Sequence, residues 1–146
     1  NHKVFMKADL DGLFIRSSNN AKVPGTYILL IELTEANPIN VGELGIHIFK
    51  LGYYLYTGSA LNGLVSRISR HIRSDKPCHW HIDYLTQVAR VIGIFWSVGT
   101  EKHECGWSSQ ISSSKTSTSP VRGFGSSDCK CGTHLYFFHV YRMFTE

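Results

Sequence analysis

Apolar and polar positions change rhythm several times along the chain, and each change marks an element. Residues 25–33 (Gly-Thr-Tyr-Ile-Leu-Leu-Ile-Glu-Leu) form a nearly continuous β-prone run, which predicts a strand covered on both faces. Residues 34–38 supply a turn, residues 46–49 a second extended stretch, and Gly52 opens another strand over residues 53–57. After Gly58-Ser59-Ala60 the period becomes helical. Leu61, Leu64, Val65, Ile68 and Ile72 share one narrow arc at about 100° per residue, which predicts an amphipathic helix over residues 61–73. On that wheel Arg67 and His71 stack one turn apart at the edge of the apolar stripe. Arg70 and Arg73 turn further round, toward solvent.

Lys76-Pro77 breaks this helix, and residues 79–85 begin a short one. Residues 91–98 read as a third central strand, and Thr100 is placed to cap a helix starting near Glu101. Residues 112–119, rich in serine and threonine, predict a mobile surface loop, and residues 135–141 a last strand at a sheet edge. Residues 1–24 mix short apolar groups with turn formers and read as an N-terminal extension carrying one short strand at residues 13–15. The expected fold is α/β (α+β): a small central sheet of mixed or antiparallel strands, flanked by helices, with an added C-terminal strand.

Composition narrows the class. At 146 residues, with 42% hydrophobic and 12% aromatic positions, the chain is one folded domain rather than a disordered segment. No apolar run reaches the roughly 18 residues that a spanning helix needs, and no signal-peptide pattern is present, so a cytoplasmic protein away from membranes is expected. The net charge of +4 is too mild to prove nucleic-acid binding. Its distribution says more: Arg67, Arg70, Arg73 and Lys76 cluster in one stretch, opposed there by Asp75 alone. That cluster is either a solvated helix face or a surface for a polyanion. Four cysteines make no convincing disulfide framework at this length and read as reduced thiols.

The residues that carry chemistry form a pattern. Gly25-Thr26-Tyr27 opens one strand, and Tyr56-Thr57-Gly58 ends the next and leads into the helix bearing Arg67 and His71. Glu104 follows the third strand. Together these resemble the signature of GIY-YIG endonucleases, over residues 25–141. The strings His79-Trp80-His81-Ile82-Asp83-Tyr84-Leu85, Glu104-Cys105 and Gly123-Phe124-Gly125-Ser126-Ser127-Asp128-Cys129-Lys130-Cys131, followed by His134-Leu135, resemble a mainly archaeal subfamily whose biological role is unassigned. In some relatives of that subfamily a similar domain is joined to an endonuclease III-type repair enzyme.

The resemblance implies a nuclease domain over residues 25–146 and a catalytic set of Tyr27, Tyr56, Arg67, His71 and Glu104. Arg67 stands one residue later than the commonest family spacing, with Gly63 as the adjustment, which keeps Arg70 as an alternative. Glu101 is the reserve acid. Phosphodiester hydrolysis explains the residue types. A carboxylate such as Glu104 can hold one Mg²⁺ (or Mn²⁺), and an arginine fork can clamp two phosphate oxygens. A free tyrosine, with a pKa near 10, is a poor base at neutral pH, whereas a histidine near 6.5 needs almost no tuning. The expectation is therefore that Tyr27 positions the attacking water while His71 or the metal shares the base role.

Arg70, Arg73, Lys76, His79 and His81 are expected along the nucleic-acid backbone, with His79 and His81 equally readable as structural braces. DNA is the expected partner, with RNA open and a repair protein as a further partner. The contrasting expectation is a binding module of the same fold, recognisable by Arg67 and Glu104 facing apart. Structural zinc is disfavoured: Cys129-x-Cys131-x-x-His134 has one-residue cysteine spacing and lacks a fourth ligand unless Cys78, Cys105 or His79 folds over.

Overall fold

The computed structural model describes residues 2–6, 23–73, 76–114, 117–126 and 131–138. Seven strands and three α-helices alternate through them: β1 (His2–Met6), β2 (Gly25–Leu33), β3 (Asn37–Asn40), β4 (Ile46–Phe49), β5 (Gly52–Ala60), α1 (Leu64–Ile72), α2 (His81–Thr86), β6 (Arg90–Val98), α3 (Glu104–Ser112) and β7 (Leu135–Phe138). Five strands make one antiparallel sheet in the order β1-β6-β2-β5-β7, and β3 pairs with β4 in a separate two-stranded sheet.

The long apolar run is the middle strand of the main sheet, which is why it lacks a polar face. Register then assigns the faces. Tyr27 lies opposite Gly58 and Trp96, and Leu29 opposite Tyr56 and Ile94, so these side chains share one face. Against it α1 lays Leu64, Ile68 and His71, and α2 adds Ile82 and Leu85. Leu29, Ile31, Ile68, Ile82 and Leu85 are fully buried there, each worth roughly 1.5–3 kcal/mol of transfer free energy. The other face carries α3, through Thr57 Oγ1 hydrogen-bonded to Ser108 Oγ at 2.5 Å and Phe95 packed edge-on against Trp107.

Several boundaries differ from the sequence expectation, each for a local reason. The first helix begins at Leu64: Leu61 sits 40% exposed in a turn, and Gly63 contributes only the carbonyl that accepts from Arg67 N. The third helix begins at Glu104 rather than near Glu101, and Thr100 does not cap it. Thr26 accounts for this, because its hydroxyl donates to Glu101 O and accepts from His103 N, tying residues 101–103 to β2. Part of the expected turn after β2 is strand β3, which backs β4. His2–Met6, read as part of an extension, adds an edge strand to β6. The expected strand at residues 13–15 lies outside the described residues. In the serine-rich loop, Thr118 bridges to Phe137 of β7, the edge strand expected at the C-terminal end. No helix among the described residues is long and apolar enough to cross a membrane.

Candidate active site

Where β5 ends and α3 begins, the fold leaves a cavity of about 290 Å³ whose lining includes Tyr27, Tyr56, Arg67, His71 and Glu104. The five side chains come from β2, β5, α1 and α3, so the sheet and both helices must be in place before they meet. Ser59, Trp80, Lys102, Cys105 and Gly125 complete much of the wall.

Tyr27 is 1% exposed, and its hydroxyl meets His71 Nε2 at 2.6 Å. The phenol fits because position 58 has no side chain: a Cβ there would lie 2.5 Å from Tyr27 Cζ. This is what the glycine after Tyr56-Thr57 does. Gly125 plays the matching part beside Tyr56, with φ of 69° and a Cβ position only 2.8 Å from Tyr56 Cε1. His81 Nδ1 accepts from Gly125 N at 2.8 Å and so holds that loop against the site.

Arg67 donates from Nη1 to Ser59 O at 3.1 Å, and its guanidinium lies 4.3 Å from the centre of the Trp80 ring. Arg70 also lies over Trp80, but Asp83 holds it at 2.7 Å and it does not line the cavity. Of the two arginines left open by spacing, Arg67 is the one that lines the cavity. Glu104 lines the cavity and accepts from Ser59 Oγ at 3.4 Å, whereas Glu101 is directed to solvent with its side chain 85% exposed. The carboxylate and the surrounding hydroxyls are hard oxygen donors, which fits one Mg²⁺ or Mn²⁺ carrying its own waters. Glu104 would hold it.

Environment overturns the expected tuning of His71. Burial, followed by Arg67, Lys76 and Arg70, pushes its pKa down to about 3. Burial likewise raises Tyr27 well above the ordinary phenol range, against the opposing pull of Arg67, and Tyr56 rises mainly through burial. Moving the Tyr27 proton to His71 is uphill by about 5 kcal/mol even with unperturbed values, and both shifts enlarge that gap. His71 is thus a neutral partner and no proton acceptor at pH 7. Its Nδ1 is buried with no hydrogen-bond partner among the described residues. An orphaned lone pair is more tolerable than an orphaned N–H, which favours the tautomer in which Nε2–H donates to Tyr27 and leaves the phenol O–H free for the cavity.

The expected nucleic-acid contacts divide. Arg73 and His79 are exposed. Lys76 is a correction: it is 6% exposed, and its Nζ donates to the carbonyls of His71 and Arg73 and to Thr86 Oγ1, closing the C-terminus of α1. Arg70 is a second correction, since its charge is spent on buried Asp83, which also accepts from the main chain of His79 and Trp80. His81 braces the Gly125 loop rather than facing a ligand.

Sequence reasoning missed Trp80 and Lys102 as site residues. Trp80 could have been found from its place between two histidines in a long motif. Lys102 carried no signal, being one lysine in a loop. Cys105 does fold over toward Cys131 and His134: one ligand atom from each lies within 4.8 Å of the others. Asp128 and Cys129 lie outside the described residues.

A family model described as a domain of unknown function, DUF123, matches residues 26–146. No curated protein and no solved structure matches the chain.

Proposed function

The chain belongs to the DUF123 family, and we propose, from the motif resemblance and the make-up of the cavity, that it is a divalent-metal-dependent endonuclease of GIY-YIG type that hydrolyses phosphodiester bonds in DNA. One observation carries the reading: Arg67 and Glu104, distant in sequence and on different helices, line the same cavity as both signature tyrosines. A binding module that had lost turnover would have no need to keep a permanent cation and a carboxylate in one cavity with both tyrosines. Arg67 and Lys102 against Glu104 leave the lining net positive, with His71 neutral, which suits a phosphate dianion or diester.

In this mechanism Arg67, braced by Ser59 O and Trp80, presents its fork to two phosphoryl oxygens. Tyr27 points its hydroxyl into the cavity and orients the attacking water, while His71 holds the phenol oxygen and takes no proton. Tyr56 supplies a second hydroxyl to the wall, and Trp80 excludes water from one side of Arg67. Bound at Glu104, a Mg²⁺ or Mn²⁺ ion supplies Lewis-acid stabilisation of the charge that builds on the phosphate. Arg73 and Lys102 extend the positive surface along the strand, and a repair-protein partner would add the specificity that so small a contact lacks.

The test is nicking of branched, damaged and plain duplex DNA, with RNA alongside, in Mg²⁺. Wild-type protein should nick DNA, and Glu104→Gln should lose at least about 100-fold in rate. Equal rates in the two proteins, or cleavage of RNA alone, would overturn the assignment.

A further inference from the structure

We infer that Cys105, Cys131 and His134 form a binding site for a thiophilic transition-metal ion of the Zn²⁺ class, which adjoins the cavity at Glu104 and shares Cys105 with its wall. The inference stands on its own geometry and goes beyond the nuclease reading. The three donor atoms, two sulfurs and one imidazole nitrogen, lie within 4.8 Å of one another. Cys105 Sγ and His134 Nε2 are 3.8 Å apart. A tetrahedral centre with Zn–S near 2.3 Å and Zn–N near 2.05 Å has an S···N edge of about 3.6 Å, so this pair already spans one edge.

The ligands come from two places in the fold. Cys105 is in the first turn of α3, and Cys131 and His134 lead into β7. His134 is pinned through its main chain, donating to Phe124 O at 2.8 Å and accepting from Thr57 N at 3.0 Å. Its ring is oriented by a second contact, for Nδ1 faces Glu104 Oε2 at 3.6 Å while Nε2 faces Cys105. A histidine that gives one nitrogen to a metal and turns the other toward a carboxylate is a recurrent outer-shell arrangement.

Sulfur donors select against Mg²⁺, so the two sites would sort their ions by chemistry. On binding, the two thiols lose their protons to solvent and the ion replaces them; no electron is transferred. The fourth position is left to water or a further donor. The ion would staple the start of α3 to the start of β7 and so fix Glu104, the chain neighbour of Cys105.

Chelator-treated, fully reduced protein is titrated with Co²⁺ alone. One equivalent should produce thiolate-to-cobalt charge-transfer absorption and tetrahedral d–d bands, both erased by Zn²⁺. Oxygen ligation at Glu104 gives neither. Cys105→Ser and Cys131→Ser should each abolish the charge-transfer band or weaken binding by more than about 100-fold, with circular dichroism verifying the fold. Glu104→Gln should keep the band and weaken binding roughly 10- to 100-fold. No charge-transfer band in wild type, an unchanged band in both serine variants, or a Cys105–Cys131 disulfide persisting under reduction would overturn the site. An intact band without DNA nicking would fail the nuclease reading alone, and nicking without the band would fail this one alone.

Discussion

Gly58→Ala tests the packing on which the buried phenol of Tyr27 depends. The new Cβ would lie 2.5 Å from Tyr27 Cζ and 3.0 Å from Cε2, with the phenol oxygen also in the way. Ordinary carbon contacts need about 3.5–4.0 Å, so the ring must retreat by about 1 Å. Tyr27 is 1% exposed and packed among core side chains and against His71, so a retreat disturbs neighbours already in contact. Such overpacking costs about 1–3 kcal/mol. A retreat of that size also stretches the 2.6 Å contact with His71 Nε2 beyond hydrogen-bond range, and stranding that buried pair costs a further 1–3 kcal/mol or so. The sum, about 2–6 kcal/mol, is a large share of a typical domain's 5–15. Urea unfolding at pH 7 measures it: with a slope of about 1–3 kcal/mol/M, the midpoint should fall by on the order of 2 M. In a Tyr27→Leu background the same glycine substitution should cost less than about 1 kcal/mol, because no phenol remains to strike. A neutral Gly58→Ala, or an equal penalty in both backgrounds, would refute the close-approach argument.

Stability should depend on His71 at acid pH. Its folded pKa of about 3 lies below the unfolded value near 6.5, so the unfolded state binds the extra proton first. That contribution is complete above pH 6.5 and is lost as pH falls toward 3, with a limiting slope of about 1.4 kcal/mol per pH unit. Urea midpoints of wild type should therefore drop faster than those of His71→Gln between pH 6.5 and 4; parallel profiles would contradict the burial argument. Asp83→Ala should cost about 3–5 kcal/mol in the same assay, since it strands the partly buried Arg70 and two main-chain donors, and adding Arg70→Ala should recover part of the loss. Arg67→Lys keeps the charge but loses the planar fork, so single-turnover nicking should slow about 100- to 1,000-fold; a rate near wild type would remove the fork from the mechanism.

How much of the site was legible depended on whether a residue's role is local. The two glycine–tyrosine tripeptides were legible only through their resemblance to a family signature, since the close approach of Tyr27 to Gly58 joins two different strands. The helix bearing Arg67 and His71 could be read directly, because its 3.6-residue period is written in Leu64, Ile68 and Ile72. The start of α3 was misjudged because its cause, the hydroxyl of Thr26, lies more than seventy residues away in the chain. Lys76 read as a solvent-facing cation because its carbonyl partners are a helix end that folding brings around it.

By itself, then, the sequence determined the succession of strands and helices, the candidates for a phosphodiester chemistry and their approximate order. The succession follows from side-chain period and residue type, which belong to the chain, and the candidates follow from the resemblance to a nuclease signature. Tertiary structure alone decided that Arg67 rather than Arg70 lines the cavity, that Glu104 rather than Glu101 lies in its wall, that His71 is held neutral, and that Cys105 joins Cys131 and His134. Each of these is a matter of distance and dielectric between groups far apart in the chain, and neither quantity exists until the sheet has closed around them.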